Sequence, residues 1–95
     1  MKLTKNFSKS EFECSCGCKM PLKVLHQVQK LANQLQILRT ETGKSITVNS
    51  AYRCFKHNKS IGGVSSSQHI LGKAADIVIK GEDSDVTFDL IDLFI

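Results

Sequence analysis

Apolar residues return every three or four positions through Leu22, Leu25, Val28, Leu31, Leu35 and Leu38, with Lys23, Gln27, Lys30, Asn33, Gln34 and Arg39 between them. That period is one face of an α-helix. Pro21 suits the first helical position and Gly43 the residue past the end, so the pattern predicts a helix from about Pro21 to Thr42. At Ser45–Asn49, SITVN, the pattern switches to alternation among β-branched residues and predicts a strand. A second strand is expected over Ala74–Lys80, AADIVIK, and Phe55–Ser66 reads as a loop turned by Gly62 and Gly63. After Gly81, Glu82–Asp85 offers caps, and Val86, Leu90, Ile91, Leu93, Phe94 and Ile95 are spaced for an amphipathic helix. At the other end, Lys2–Met20 is a turn-rich lead-in with Phe7 and Phe12 as core anchors. Ser8 and Glu11 form a capping box for a helical turn over Lys9–Glu13.

Length and composition narrow the classes. Ninety-five residues make one small domain, which buries roughly 60–65% of its unfolded surface and gains from extra staples. An apolar content of 41% with 23% charged residues is that of a globular chain. The net charge of +4 is spread along the chain, with no basic helix face and no Trp, so nucleic acid is not the expected partner. No apolar leader follows the first lysines and no run is long enough to span a membrane. The reading is synthesis in the cytoplasm, compatible with later release to the wall.

The chemistry concentrates in SSSQHILGKAADIVI, Ser65–Ile79. His69 and Asp76 stand seven positions apart around the turn residue Gly72 and the small Ala74 and Ala75. An imidazole nitrogen and a carboxylate oxygen are ordinary zinc ligands, and a catalytic zinc takes three protein ligands plus water, so this stretch supplies two of three. The bland alternative is a surface histidine and a turn-capping aspartate. Arg53, delivered at the end of the first strand, offers paired donors for a carboxylate or an oxyanion; Ser67 can hydrogen-bond a substrate or its own loop. His57 can face the site, though nothing in its spacing requires it, and Asn58 can hold the loop by backbone hydrogen bonds. His26, on the predicted helix, reads as a surface residue. Cys14, Cys16 and Cys18 are too closely spaced to pair comfortably among themselves, so at most one bridge, to Cys54, is natural. Free thiols are the default in a reducing compartment. The sharper alternative is a structural zinc on all four, although C-x-C-x-C is not the usual zinc-ribbon spacing.

The phrase S-x-H-x-x-G-x-A-x-D, at Ser67, His69, Gly72, Ala74 and Asp76, follows SAYRC at Ser50–Cys54 and HNKSIGG at His57–Gly63. In this order the motifs resemble the zinc D-alanyl-D-alanine peptidases of the Hedgehog-like superfamily, particularly the short cell-wall peptidases, including endolysins, of bacteriophages and bacteria. The resemblance runs from about Phe7 to Ile79 and extends to a cysteine–glycine cluster like that of Cys14–Cys18. It implies an α+β fold with a small antiparallel sheet packed against a long helix. It also implies zinc held by His69 and Asp76, a catalytic Arg53, a substrate-binding Ser67 and hydrolysis of peptidoglycan stem peptides, by carboxypeptidase or endopeptidase action. The resembling enzymes add a third histidine ligand and an acid/base residue on a later strand. His26, His57 and His69 all precede Asp76, so the expectation is a C-terminally shortened, poorly active domain, lacking the family's last strand or strands. The alternative is a non-catalytic module for wall or partner binding on the same scaffold. The apolar C-terminal helix expected here would also suit a homodimer.

Overall fold

The computed structural model describes residues 1–63, 67–82 and 85–90. Helix α1 spans Leu22–Thr42, 21 residues. Pro21 sits one position before it, in extended conformation, and Gly43 ends it in the left-handed region at φ 66°, its N–H donating to the Arg39 carbonyl. The buried stripe is Val24, Val28, Leu31, Ala32 and Leu35, with Leu25 and Leu38 at its edges. Leu22 is a correction to the sequence reading: at 70% exposed it lies off the stripe, which begins at Val24 instead.

Three strands, β1 (Ile46–Ser50), β2 (Ala74–Ile79) and β3 (Val86–Asp89), form an antiparallel sheet in that order. The β1–β2 register runs from Ile46 opposite Ile79 to Ser50 opposite Asp76, with an irregularity between Val48 and Ser50. Such a bulge bends a strand and re-aims the residues after it, here the segment carrying Arg53. Ile46, Ala75 and Ile77 face the core shared with α1, Phe7 and Phe12.

Strand β3 overturns the amphipathic helix expected from Val86 onward. Asp76 pairs with Thr87 and Ala75 with Phe88, and the Leu90 N–H donates to the Lys73 carbonyl. The run Val86-Thr87-Phe88 has strand propensity, and pairing satisfies the free backbone groups along β2; these outweigh a three- to four-residue apolar spacing. Over these residues the helix invoked for dimerisation is therefore a strand, and its remainder, residues 91–95, lies outside the described residues. The expected Phe55–Ser66 loop is also corrected: Phe55–Ser60 is a short helix, α2, followed by a turn at Ile61 and Gly62. Its cap is the Cys54 sulfur, which accepts from the His57 N–H, and sulfur is not among the usual cap signals.

The lead-in wraps onto this frame. Lys9–Phe12 is a 3-10 turn closed by the expected capping box, the Ser8 N–H donating to a Glu11 carboxylate oxygen at 2.6 Å. Gln36 of α1 accepts from the Thr4 hydroxyl and the Asn6 N–H, both at 2.8 Å.

Candidate functional site

Asp76 opens the middle of β2, where the pairing with β1 and β3 fixes its backbone from both sides. His69 arrives from the turn before that strand. Gly72, at φ 73°, closes the turn directly against Val24 and Val28 of α1, where a Cβ would lie 2.8 Å from the Val24 Cγ1. Arg53 comes from the segment after β1, and its N–H donates to the His69 carbonyl at 3.0 Å. The segment after β1 and the His69–Asp76 stretch thereby converge.

His69 is buried, and its Nδ1 lies 2.6 Å from the Ala51 carbonyl oxygen. A carbonyl can only accept, so Nδ1 carries the proton and donates it. In the neutral ring this leaves Nε2 with a lone pair, directed at Asp76 Oδ1 3.4 Å away. The opposite Asp76 oxygen, Oδ2, accepts from Arg53 Nη2 at 3.2 Å, and the Thr87 hydroxyl donates to Oδ1 at 2.8 Å. Two acceptors thus face each other, and only a proton on Nε2 or a cation between them makes that pairing favourable. Ligands about 2.1 Å from a tetrahedral zinc stand about 3.4 Å apart, so the separation fits that ion. A ring fixed through its other nitrogen by a backbone carbonyl is also how metal-ligating histidines are oriented. No third His, Cys, Asp or Glu joins the pair among the described residues.

The guanidinium is held in turn. Arg53 Nη1 donates to Asn58 Oδ1 at 3.2 Å and Nε to the Ser50 hydroxyl at 3.4 Å. Asn58, on α2, is 1% exposed. Gly63 lies so close that a Cβ there would collide with the Asn58 side chain.

Of the residues singled out from sequence, the fold brings Arg53, His69 and Asp76 together. Ser67 is beside them, its hydroxyl accepting from the His69 N–H at 3.2 Å. His26 is exposed on α1. His57 turns elsewhere, its Nε2 lying 3.0 Å from the Ser15 hydroxyl. Sequence reasoning missed Thr87 and the Ala51 carbonyl and gave Asn58 only a loop-holding part. Partners across a sheet or through a backbone carbonyl leave no local signature.

A second cluster lies beside α2. The sulfurs of Cys14, Cys16, Cys18 and Cys54 are all within 4.8 Å of one another, and no disulfide joins them. The bridge to Cys54 that the spacing allows is thus not formed. The His57 N–H, donating to the Cys54 sulfur, brings that thiol down to about 7, whereas desolvation pushes Cys18 up to about 12 and a hydrogen bond with Cys14 raises Cys16. Burial raises the neighbouring Tyr52 phenol.

No curated protein matches the chain. A family model described as Peptidase M15 matches residues 5–90, a span that includes Arg53, His69, Asp76 and all four cysteines. With that match laid over the convergence of its histidine, aspartate and arginine, the chain belongs to the peptidase M15 family.

Proposed function

We propose that this chain is a zinc-dependent peptidase of the D-alanyl-D-alanine type, on a Hedgehog-like scaffold, directed at the stem peptides of peptidoglycan. His69 and Asp76 are two zinc ligands, Arg53 is the cation facing a substrate carboxylate or developing oxyanion, and Ser67 contacts substrate. Proteins of the family generally bind zinc. The observation that carries the reading is His69 Nε2 set 3.4 Å from Asp76 Oδ1. When bound there, zinc polarises the scissile carbonyl and lowers the pKa of water.

The chain's own groups prepare the rest. Ala51 fixes the tautomer and tilt of His69, and Thr87 and Arg53 fix the two carboxylate oxygens of Asp76. Arg53 has five N–H donors, of which, among the described residues, three are used on Ser50, Asn58 and Asp76. The rest suit a carboxylate or an oxyanion, and the hold of three partners means little reorganisation is needed when charge develops.

A catalytic zinc takes three protein ligands. The described residues offer this pair, and a site made of these two donors alone is expected to hold zinc weakly. Zinc titration of a protein carrying Cys16→Ser and Cys54→Ser isolates the pair, and His69→Ala or Asp76→Ala should then abolish the remaining binding. Zinc binding indifferent to both substitutions overturns the ligand assignment, and failure of the zinc-loaded protein to cleave wall peptides counts against the peptidase reading.

The missing third donor among the described residues also favours a second reading, a module that captures wall peptide or a partner without hydrolysis. It expects association with purified peptidoglycan to survive His69→Ala, whereas loss of that association on zinc removal counts against it.

A further inference from the structure

The four cysteines are not needed by the chemistry at His69 and Asp76, yet the fold gathers them from two separate segments of the chain. Cys16 and Cys54 are 38 positions apart and their sulfurs are 3.5 Å apart; Cys14 lies 3.3 Å from Cys16 and 3.8 Å from Cys54. A disulfide would need about 2.05 Å, whereas four sulfurs about 2.3 Å from a tetrahedral ion stand about 3.8 Å apart. We propose that Cys14, Cys16, Cys18 and Cys54 form a structural tetrathiolate site for one zinc ion, distinct from the His69–Asp76 pair.

The local backbone accounts for a spacing that resembles no zinc ribbon. The Gly17 N–H donates to the Cys14 carbonyl at 3.0 Å, and Gly17 takes φ 85°, so the chain doubles back and carries Cys18 to the same side as Cys14 and Cys16. The fourth ligand sits at the N-cap of α2. Two backbone amides point at sulfur: the Cys54 N–H at the Cys14 sulfur and the His57 N–H at the Cys54 sulfur, each at 3.4 Å. Such donors disperse the negative charge that four thiolates leave on a divalent ion. Sulfurs this close suit a single ion. Four thiolates fill its coordination sphere and leave no position for water, so the role is structural. Binding releases the thiol protons and joins the lead-in to the segment that carries Arg53 and Asn58.

The test is elemental analysis and cobalt substitution on the intact chain. About one tightly held zinc should be retained by a His69→Ala/Asp76→Ala protein and lost from Cys16→Ser and Cys54→Ser proteins. Cobalt in the wild-type protein should give the intense near-ultraviolet sulfur-to-metal absorption of a tetrathiolate. Should the serine variants fail to fold, stepwise mercurial titration of the wild-type thiols gives the answer, with one zinc released per four thiols blocked. A wild-type chain without tight zinc, metal content indifferent to the cysteine substitutions, thiols that titrate without releasing metal, or a mass showing a disulfide in freshly purified protein would each overturn the proposal. The His69→Ala/Asp76→Ala arm separates this outcome from failure of the peptidase reading.

Discussion

The two clusters differ in the number and kind of their donors. Cys14, Cys16, Cys18 and Cys54 offer four identical soft ligands within 4.8 Å of one another. His69 and Asp76 offer two unlike donors, with a guanidinium alongside and no further His, Cys or carboxylate among the described residues. A filled tetrahedron ties chain segments together, whereas an incomplete set beside a fixed cation leaves coordination positions for water and substrate. On the proposed reading α2 serves both clusters, with Cys54 at its N-cap among the thiols and Asn58 in its body holding Arg53.

The sharpest way to break this division is metal removal. With zinc bound at the thiols, a chelator strong enough to strip it should lower the melting temperature by about 10 °C or more, since binding energy at a structural zinc is folding energy. The same chelator should shift a Cys16→Ser/Cys54→Ser protein by no more than a few degrees. Thermal unfolding monitored by circular dichroism measures both. Equal shifts in the two proteins would erase the distinction.

Glycine substitutions give the next largest effects. Gly17 and Gly72 both take positive φ, but a Cβ at Gly17 would meet nothing within 4 Å, whereas one at Gly72 would press on Val24 and Val28. Gly17→Ala should cost about 1 kcal/mol of backbone strain. Gly72→Ala adds a packing clash and should cost about 2–4 kcal/mol, while moving the turn that presents His69. Urea unfolding of the two variants checks the order, and equal costs would mean that α1 yields to the new methyl.

Asp76→Asn removes charge while keeping shape. Arg53 and Asp76 side chains are 15% and 26% exposed, so solvent screens part of the loss and the expected cost is about 1–2 kcal/mol, below that of a buried pair. Zinc at the thiols should be unaffected and zinc at His69 lost, as metal analysis of both sites would show. A variant as stable as the parent would reduce the Arg53–Asp76 pair to a contact of little energetic weight.

How much of this was legible in the residues depends on how local each signal is. The α1 stripe, the Ser8–Glu11 box and the strands at β1 and β2 rest on periodicity and short-range chemistry, and they stand where the pattern put them to within a residue or two. Val86–Asp89 was misread because a helical spacing of apolar residues says nothing about an open sheet edge a few residues earlier in the chain. The α2 helix escaped because its cap is a sulfur. Arg53, His69 and Asp76 were named from sequence, but their mutual geometry depends on the Ala51 carbonyl and on Asn58 and Thr87, which long-range folding brings in. The thiol cluster was half legible: the cysteines were visible, but their convergence depends on the Gly17 turn.

The smallest stability effect falls at a residue the pattern never singled out. Thr87 stands opposite Asp76 in the β2–β3 register, and its exposed hydroxyl donates to the oxygen that faces His69. Thr87→Val keeps the β-branched shape and the strand, so its stability cost should be about 0.5–1 kcal/mol, that of one hydrogen bond near solvent. Its effect on zinc at His69 and Asp76 should be proportionally larger, on the order of 10-fold weaker, because a ligand's hydrogen-bond partner sets its orientation and basicity. Calorimetric zinc titration in the Cys16→Ser/Cys54→Ser background reads the affinity, and urea unfolding without metal reads the stability. The hydroxyl is a positioning group if affinity falls while stability hardly moves. Unchanged affinity would leave Arg53 alone in aiming the carboxylate, and rescue by Thr87→Ser would tie the effect to the donated hydrogen bond.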